Sequence, residues 1–228
     1  MPAEGAMDGV RIDGVERSFR GRRGADVVAL RGMDLRAAPG EIVAVVGPSG
    51  CGKSTLLELV CGLQQADAGG VVADPAVLMP QRDVLLPWLA ALDNAALALR
   101  VHGMARDEAR DRARPLFERF GLAGFERARP RELSGGMRQR VAFVRTLLAG
   151  KPVLALDEPF AALDALTRQE MQSWLAHALA EEPRTVVLVT HDVEESIVLG
   201  DRVVVMSPRP GRAVAELTVS LPRPRQRT

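Results

Sequence analysis

Short apolar runs alternate with longer stretches of helical period along most of this 228-residue chain. IVAVV (residues 42–46), VLAL (153–156), VVLV (186–189) and VVVM (203–206) are nearly unbroken, the pattern of strands buried on both faces. Residues 11–15 and 30–37 read as two further strands, joined by the turn-rich, basic stretch FRGRRGAD into a hairpin-like entry. A Gly-Gly turn is expected at Gly69 and Gly70, followed by a short apolar run at 77–79. Helical spacing predicts a helix from near Lys53 to about residue 63 and a largely helical region over 87–129, with a stop at Gly121. Another helix starts at Ser134, a good N-cap, and continues through Val141, Val144, Leu147 and Leu148 to Gly150. Residues 166–182 read as helix, and Asp192 with Glu195 forms a capping-box-like start for a last helix ended by Gly200. Strands alternating with helices argue for an α/β fold with a mainly parallel sheet covered on both faces, its polar groups collected at the carboxyl ends of the strands.

Composition narrows the function classes. Net charge is +1, from 30 basic and 29 acidic residues, so nothing supports a nucleic-acid partner. Arg223, Arg225 and Arg227 make the end of the chain basic, and a solvated tail over 213–228 is expected. Cys51 and Cys61 fit neither a disulfide framework nor a zinc site, which suits a reducing compartment. The first ten residues lack the basic and apolar regions of a secretory signal. The most membrane-like stretch, residues 84–101, is interrupted by Pro87, Asp93, Asn94 and Arg100. A central Asp costs about 2.5–3.5 kcal/mol on insertion, so the stretch reads as an apolar surface for a protein partner and not as a span.

Chemistry enters at GPSGCGKST, residues 47–55, which fits G-x-x-x-x-G-K-[ST] and follows an apolar strand. Gly47, Gly50 and Gly52 let the backbone curl so that successive N–H groups meet phosphate oxygens; Pro48, Ser49, Cys51 and Thr55 complete the loop. Lys53 would reach the β- and γ-phosphates and the Ser54 hydroxyl a Mg²⁺ ion. Only Lys53 and Lys151 are lysines among the 30 basic residues, so a lysine persists in the loop where arginine serves almost everywhere else. Asp157 and Glu158 end another apolar strand, a position from which Asp can serve Mg²⁺ and Glu can polarise an attacking water.

With LSGGMRQR at 133–140 and VLALDEP at 153–159 added, the chain resembles the nucleotide-binding subunit of ABC transporters over about residues 8–212. LSGGMRQR is similar to that family's signature sequence, Gln81 to its Q-loop glutamine, Ala162-Leu163-Asp164 to its D-loop and His191 to its switch histidine. The resemblance implies a P-loop ATPase core, an N-terminal antiparallel β subdomain, and a helical subdomain at about 82–133 inserted before the signature. It also implies ATP and Mg²⁺ as cofactors, with Ser54, Gln81 and Asp157 serving the metal. Two subunits would pair head to tail, Ser134, Gly135 and Gly136 of one meeting the γ-phosphate held by the other. Glu158 would activate water, His191 contact the γ-phosphate, and Asp164 communicate across the dimer. Further partners would be an integral-membrane permease and, indirectly, a substrate-binding protein, with the subunit peripheral on the cytoplasmic face of the inner membrane.

The chain departs from the family pattern in three places. It has no Tyr, so the aromatic that stacks on adenine would be Phe19. The stretch between Gly62 and Gln81 is shorter than in relatives, and Ala161 stands where they often have Gly. Leu86-Pro87-Trp88, the run from Glu158 to Arg168, and MSPRPG at 206–211 resemble the branch that imports nitrate, sulfonates or taurine. Three alternatives stay open at this point: an ABC ATPase of a non-transport complex in DNA maintenance or regulation, a P-loop kinase, and a non-catalytic nucleotide-binding partner.

Overall fold

The computed structural model describes residues 8–21, 24, 26–161, 163–223 and 225. In chain order its elements begin with β1 (Val10–Arg20), β2 (Asp26–Ala37), β3 (Ile42–Val46), α1 (Lys53–Val60), β4 (Ala68–Ala73) and β5 (Ala76–Met79). Helices follow: α2 (Ala91–Ala95), α3 (Leu97–Val101), α4 (Arg106–Arg119), a 3₁₀ turn at Pro130–Glu132, and α5 (Gly135–Leu147). The chain then runs through β6 (Val153–Asp157), α6 (Ala165–Glu181), β7 (Thr185–Thr190), α7 (Val193–Leu199), β8 (Arg202–Met206) and β9 (Ala213–Thr218). These divide into two units: residues up to Leu78 with Pro152–Asp157 and everything from Gln172 onwards, and Met79–Lys151 with Glu158–Met171.

The first unit holds both sheets. One has six strands in the order β5-β6-β7-β3-β8-β9, with β6, β7, β3 and β8 parallel. The five residues of β3 and of β6 and the six of β7 are all buried, as their unbroken apolar runs require. The other sheet is antiparallel, in the order β2-β1-β4, with alternating burial along β1 and β2. Val10, Ile12, Leu30 and Leu35 of that sheet share one core with Val43, Val45, Leu56, Leu57, Val187 and Val204.

Three expectations need correction here. Gly69 and Gly70 do not turn the chain; they lie inside β4, paired with β1. Gly69 has φ +83°, and a Cβ there would stand 2.5 Å from the Gly14 carbonyl oxygen, so glycine serves a close strand approach beside the irregular register at Asp13/Glu16. The tail holds an edge strand, β9, antiparallel to β8. Arg225 is buried and donates to the carbonyls of Gly200 at 2.6 Å and Ile197 at 3.1 Å, beside Asp201, while Arg223 pairs with Asp201 at 3.1 Å. Arg225 complements the open carbonyls at the end of α7, and Arg223 is held by its ion pair, instead of both dissolving in water; Arg227 lies outside the described residues. Finally, the Asp192 carboxylate accepts from the Glu195 N–H at 3.1 Å, but Glu195 accepts from Gln172 at 3.2 Å and does not close the box.

The second unit is helical. Residues 84–101, expected as an apolar partner surface, supply part of its core through the buried Ala91, Leu92, Ala95 and Ala96, and keep Val84, Trp88 and Val101 exposed as large apolar groups. Asn94 accepts from the Leu86 N–H at 2.8 Å and directs its amide at carbonyls in the preceding bend, tying that bend to α2. Phe143 lies between Phe120 and Phe160, at 5.6 and 6.1 Å between ring centroids. Asp93, 2% exposed, accepts two-pronged bonds from both Arg106 and Arg110 at 2.8–3.2 Å. Burial alone would raise its carboxyl, but the two guanidinium groups outweigh that and hold it at about 2.

The sign of the linkage follows. A depressed folded-state pKa stabilises above the unfolded value and loses that contribution as pH falls towards about 2. Asp93→Asn should therefore cost about 1–3 kcal/mol at pH 7, a loss that shrinks between about pH 4 and pH 2. Urea unfolding of both proteins across that range checks it.

Candidate active site

The carboxyl ends of three neighbouring strands in the first unit meet at one level. Asp157 pairs with Val189 across β6 and β7, and Val46 pairs with Thr190 across β3 and β7. Asp157 ends β6, His191 follows β7, and the glycine loop follows β3, so one edge of the parallel sheet collects all three. This is where open α/β sheets bind ligands. Asp157 is buried at 8% exposure, whereas His191 is exposed.

The glycine loop is shaped by close approach. A Cβ on Gly52, at φ +111°, would stand 2.8 Å from the Leu30 side chain and 2.9 Å from the Ala29 oxygen; one on Gly47 would stand 3.0 Å from Met206 Cβ. No side chain fits at Gly52, so the backbone is free to curl towards a ligand. Lys53 opens α1 with its side chain folded back, Nζ donating to the Gly47 and Pro48 carbonyls at 2.8 and 3.0 Å. An ammonium group thus sits inside the curl, 7% exposed, among backbone groups and the positive end of α1. Ser54 is exposed on the first turn of α1. The arrangement suits a polyphosphate: a fixed cation, helix N–H groups and no side-chain obstruction.

A divalent ion also fits. Among the described residues no group of three or more His, Cys, Asp or Glu could hold a metal by itself. An ion there would draw on the Ser54 hydroxyl and Asp157 together with phosphate oxygens and water, the partly hydrated oxygen set that Mg²⁺ favours.

In the second unit, Gln81 lies one residue beyond Pro80 after β5, and its Nε2 donates to Glu158 Oε2 at 2.9 Å. Two side chains separated by 77 positions in sequence are thereby joined. Glu158 has φ +48°, a left-handed backbone that a residue with a Cβ rarely adopts and that clusters at functional sites. Ser134 caps α5, its Oγ accepting from the Met137 N–H at 3.2 Å, with Ser134 and Gly135 exposed and Gly136 half-buried on the first turn. Asp164 accepts from the Thr167 hydroxyl at 2.7 Å and the Thr167 N–H at 3.0 Å, and these bonds, in that order, hold its carboxyl below the usual range. Ala162 lies outside the described residues. Phe19, on β1 in the first unit, is half-buried with the Arg17 guanidinium 4.9 Å from its ring centroid. Cys51 is buried, and at Cys61 burial followed by Glu58 pushes the thiol up to about 12, away from the reactive thiolate.

A profile of the ABC transporter family matches residues 30–161, more than half of the chain. The chain belongs to the ABC transporter family. Among curated members, the aliphatic sulfonates import ATP-binding protein SsuB 1 of Rhodococcus jostii is 45% identical over 228 residues, covering 97% of this chain and 89% of that protein. The taurine import ATP-binding protein TauB of Burkholderia thailandensis is 44% identical over 90% of this chain and 82% of its own. The formylaminopyrimidine import ATP-binding protein ThiZ of Halalkalibacterium halodurans is 46% identical over 78% and 73%. The dimeric structure of the bacterial ABC transporter cassette MJ0796 superposes with TM-score 0.85 at 29% identity, covering 92% of this chain and 98% of that one. Its post-hydrolysis form bound to ADP and Pi gives 0.84 at 30% identity, again covering 92% and 98%. As an ABC cassette, this chain is an ATPase that uses ATP and Mg²⁺.

Sequence reasoning missed the contact between Gln81 and Glu158, because no local pattern links positions so distant. It missed the strain at Glu158 too, since Glu is not a residue that announces a positive φ. Relief of that strain is measurable: Glu158→Gly should abolish hydrolysis yet leave the chain at least as stable as the parent in urea unfolding, within about 1 kcal/mol.

Proposed function

We propose that this chain is the ATP-hydrolysing subunit of a bacterial importer for a small anionic or zwitterionic solute, such as an aliphatic sulfonate or taurine. The import roles in the names of its relatives support the direction of transport and the solute class. They give no support to the alternative of a DNA-maintenance complex. Its partners are a second copy of itself, an integral-membrane permease and, through the permease, a substrate-binding protein. No helix among the described residues is long and apolar enough to cross a membrane, and a peripheral place on the cytoplasmic face of the inner membrane fits this reading.

The observation that carries the catalytic reading is Glu158, held in a strained backbone one residue beyond Asp157 and bonded to Gln81. Gly47 to Thr55 hold the triphosphate, Lys53 its β- and γ-phosphates. Ser54 and Asp157 would hold Mg²⁺, with Gln81 a further candidate for it, and the ion would supply positive charge to the phosphates. Glu158 accepts the proton of the attacking water, and Gln81 sets the carboxylate's orientation. His191 donates to the γ-phosphate from the end of β7. Phe19 offers its ring to the adenine. Ser134, Gly135 and Gly136 present the N-terminus of α5 to the γ-phosphate bound by the other copy, and Asp164 lies beside that junction.

Glu158→Gln should retain ATP binding, lower turnover by about 10²-fold or more and accumulate an ATP-bound dimer in light scattering. Near-normal turnover would remove Glu158 from this role. For the transport reading, affinity purification from membranes should bring down a multi-span permease, and solute-loaded binding protein should raise the ATPase rate of the complex. Recovery of a soluble complex with DNA would contradict import.

A further inference from the structure

Residues 207–212, between β8 and β9, have no part in the roles above, yet they lie against the phosphate loop. The turn is closed on itself: the Ser207 N–H donates to the Arg212 carbonyl at 3.0 Å, and Ser207 Oγ accepts from the Arg212 N–H at 3.2 Å. It is fastened to β2, because the Gly211 N–H donates to the Ala29 carbonyl at 2.8 Å and the Gly211 carbonyl accepts from the Arg31 N–H at 3.1 Å. It is also pressed onto the loop. A Cβ on Gly211 would stand 2.1 Å from the Cys51 carbonyl oxygen, so no other residue fits there without moving the loop.

From this fixed turn Arg209 reaches back, its Nε donating to the Gly50 carbonyl at 3.1 Å. Gly50 has φ +74°, a conformation in which the following peptide can reorient at little steric cost. The orientation matters, since a carbonyl turned inward opposes a phosphate that the loop's N–H groups attract. A charge-assisted donor on that carbonyl holds it outward and polarises the peptide, and such bonds are roughly twice as strong as neutral ones. Residue type alone says nothing here, because arginine is this chain's ordinary cation; the contact singles Arg209 out.

We propose that Arg209 is a positioning residue of the nucleotide site, acting through the Gly50 carbonyl to keep the phosphate loop set for ATP and ADP alike. This rests on reading residues 47–55 as the phosphate-binding loop. The test uses the full chain for MgADP affinity by calorimetry and the membrane complex for ATPase kinetics. Arg209→Ala should raise the MgADP Kd and the MgATP KM by about five- to twentyfold, with kcat at saturation within about twofold of the parent. Arg209→Gln, which keeps a planar N–H donor without the charge, should recover part of that loss. Unchanged Kd and KM in Arg209→Ala overturn the proposal, as does a fall in kcat with KM held. A Gln variant no better than Ala overturns it too, by assigning the effect to charge alone. If the parent chain binds neither nucleotide, the phosphate-loop reading itself falls and the proposal falls with it.

Discussion

Backbone packed against backbone, with no room for a Cβ, is the constraint on which this molecule depends. Gly52 lies against Ala29 and Leu30, Gly47 against Met206, and Gly211 against Cys51, each at distances that exclude a larger residue or force its neighbours to shift. The phosphate loop therefore takes its shape from strands on both sides of it, β2 and β8, and not from its own sequence alone. Three parallel strands deliver the chemistry to the same level, with the loop after β3, Asp157 at the end of β6 and His191 after β7. The antiparallel sheet looks from its sequence like an independent entry hairpin, yet it contributes Ala29 and Leu30 to the wall of the loop.

Local strain and buried charge sit where the fold can sustain them. Glu158 carries a left-handed backbone and a hydrogen bond to Gln81, a combination that fixes a carboxylate without surrounding it with apolar groups. Elsewhere in the same unit the opposite solution appears. Asp93 is buried outright, and two arginines hold it charged, so a residue that breaks an otherwise apolar stretch becomes the tie between α2 and α4.

Much of this was legible in the chain because the strands that matter are short and nearly unbroken. Residues 42–46, 153–156, 186–189 and 203–206 could be read as buried strands, and the motif residues fall at their ends. The helix starts at Ser134 and Asp192 were legible from side chains that can accept from a backbone N–H. Contacts between distant segments were not. Gly69 looks like a turn residue until β1 is seen approaching it, and Arg225 looks like a solvated end until the carbonyls of α7 are placed around it. How residues 84–101 divide between core and surface was not legible for a related reason: an apolar stretch broken by Asp can be exposed or can bury the Asp with a charged neighbour. Only the arginines of α4 decide between those outcomes.

In the proposed assembly each ATP site is completed by residues from two copies of the chain. Mixing two disabled variants tests it most directly. Lys53→Ala spoils the phosphate loop and Ser134→Arg the facing helix terminus, so either alone should be inactive. A mixed dimer, however, contains one site in which both halves are intact. Equal amounts of the two variants, assembled together with the permease, should recover a clear fraction of parental ATPase activity. Persistently inactive mixtures, with mixed dimers shown to form, would contradict the account.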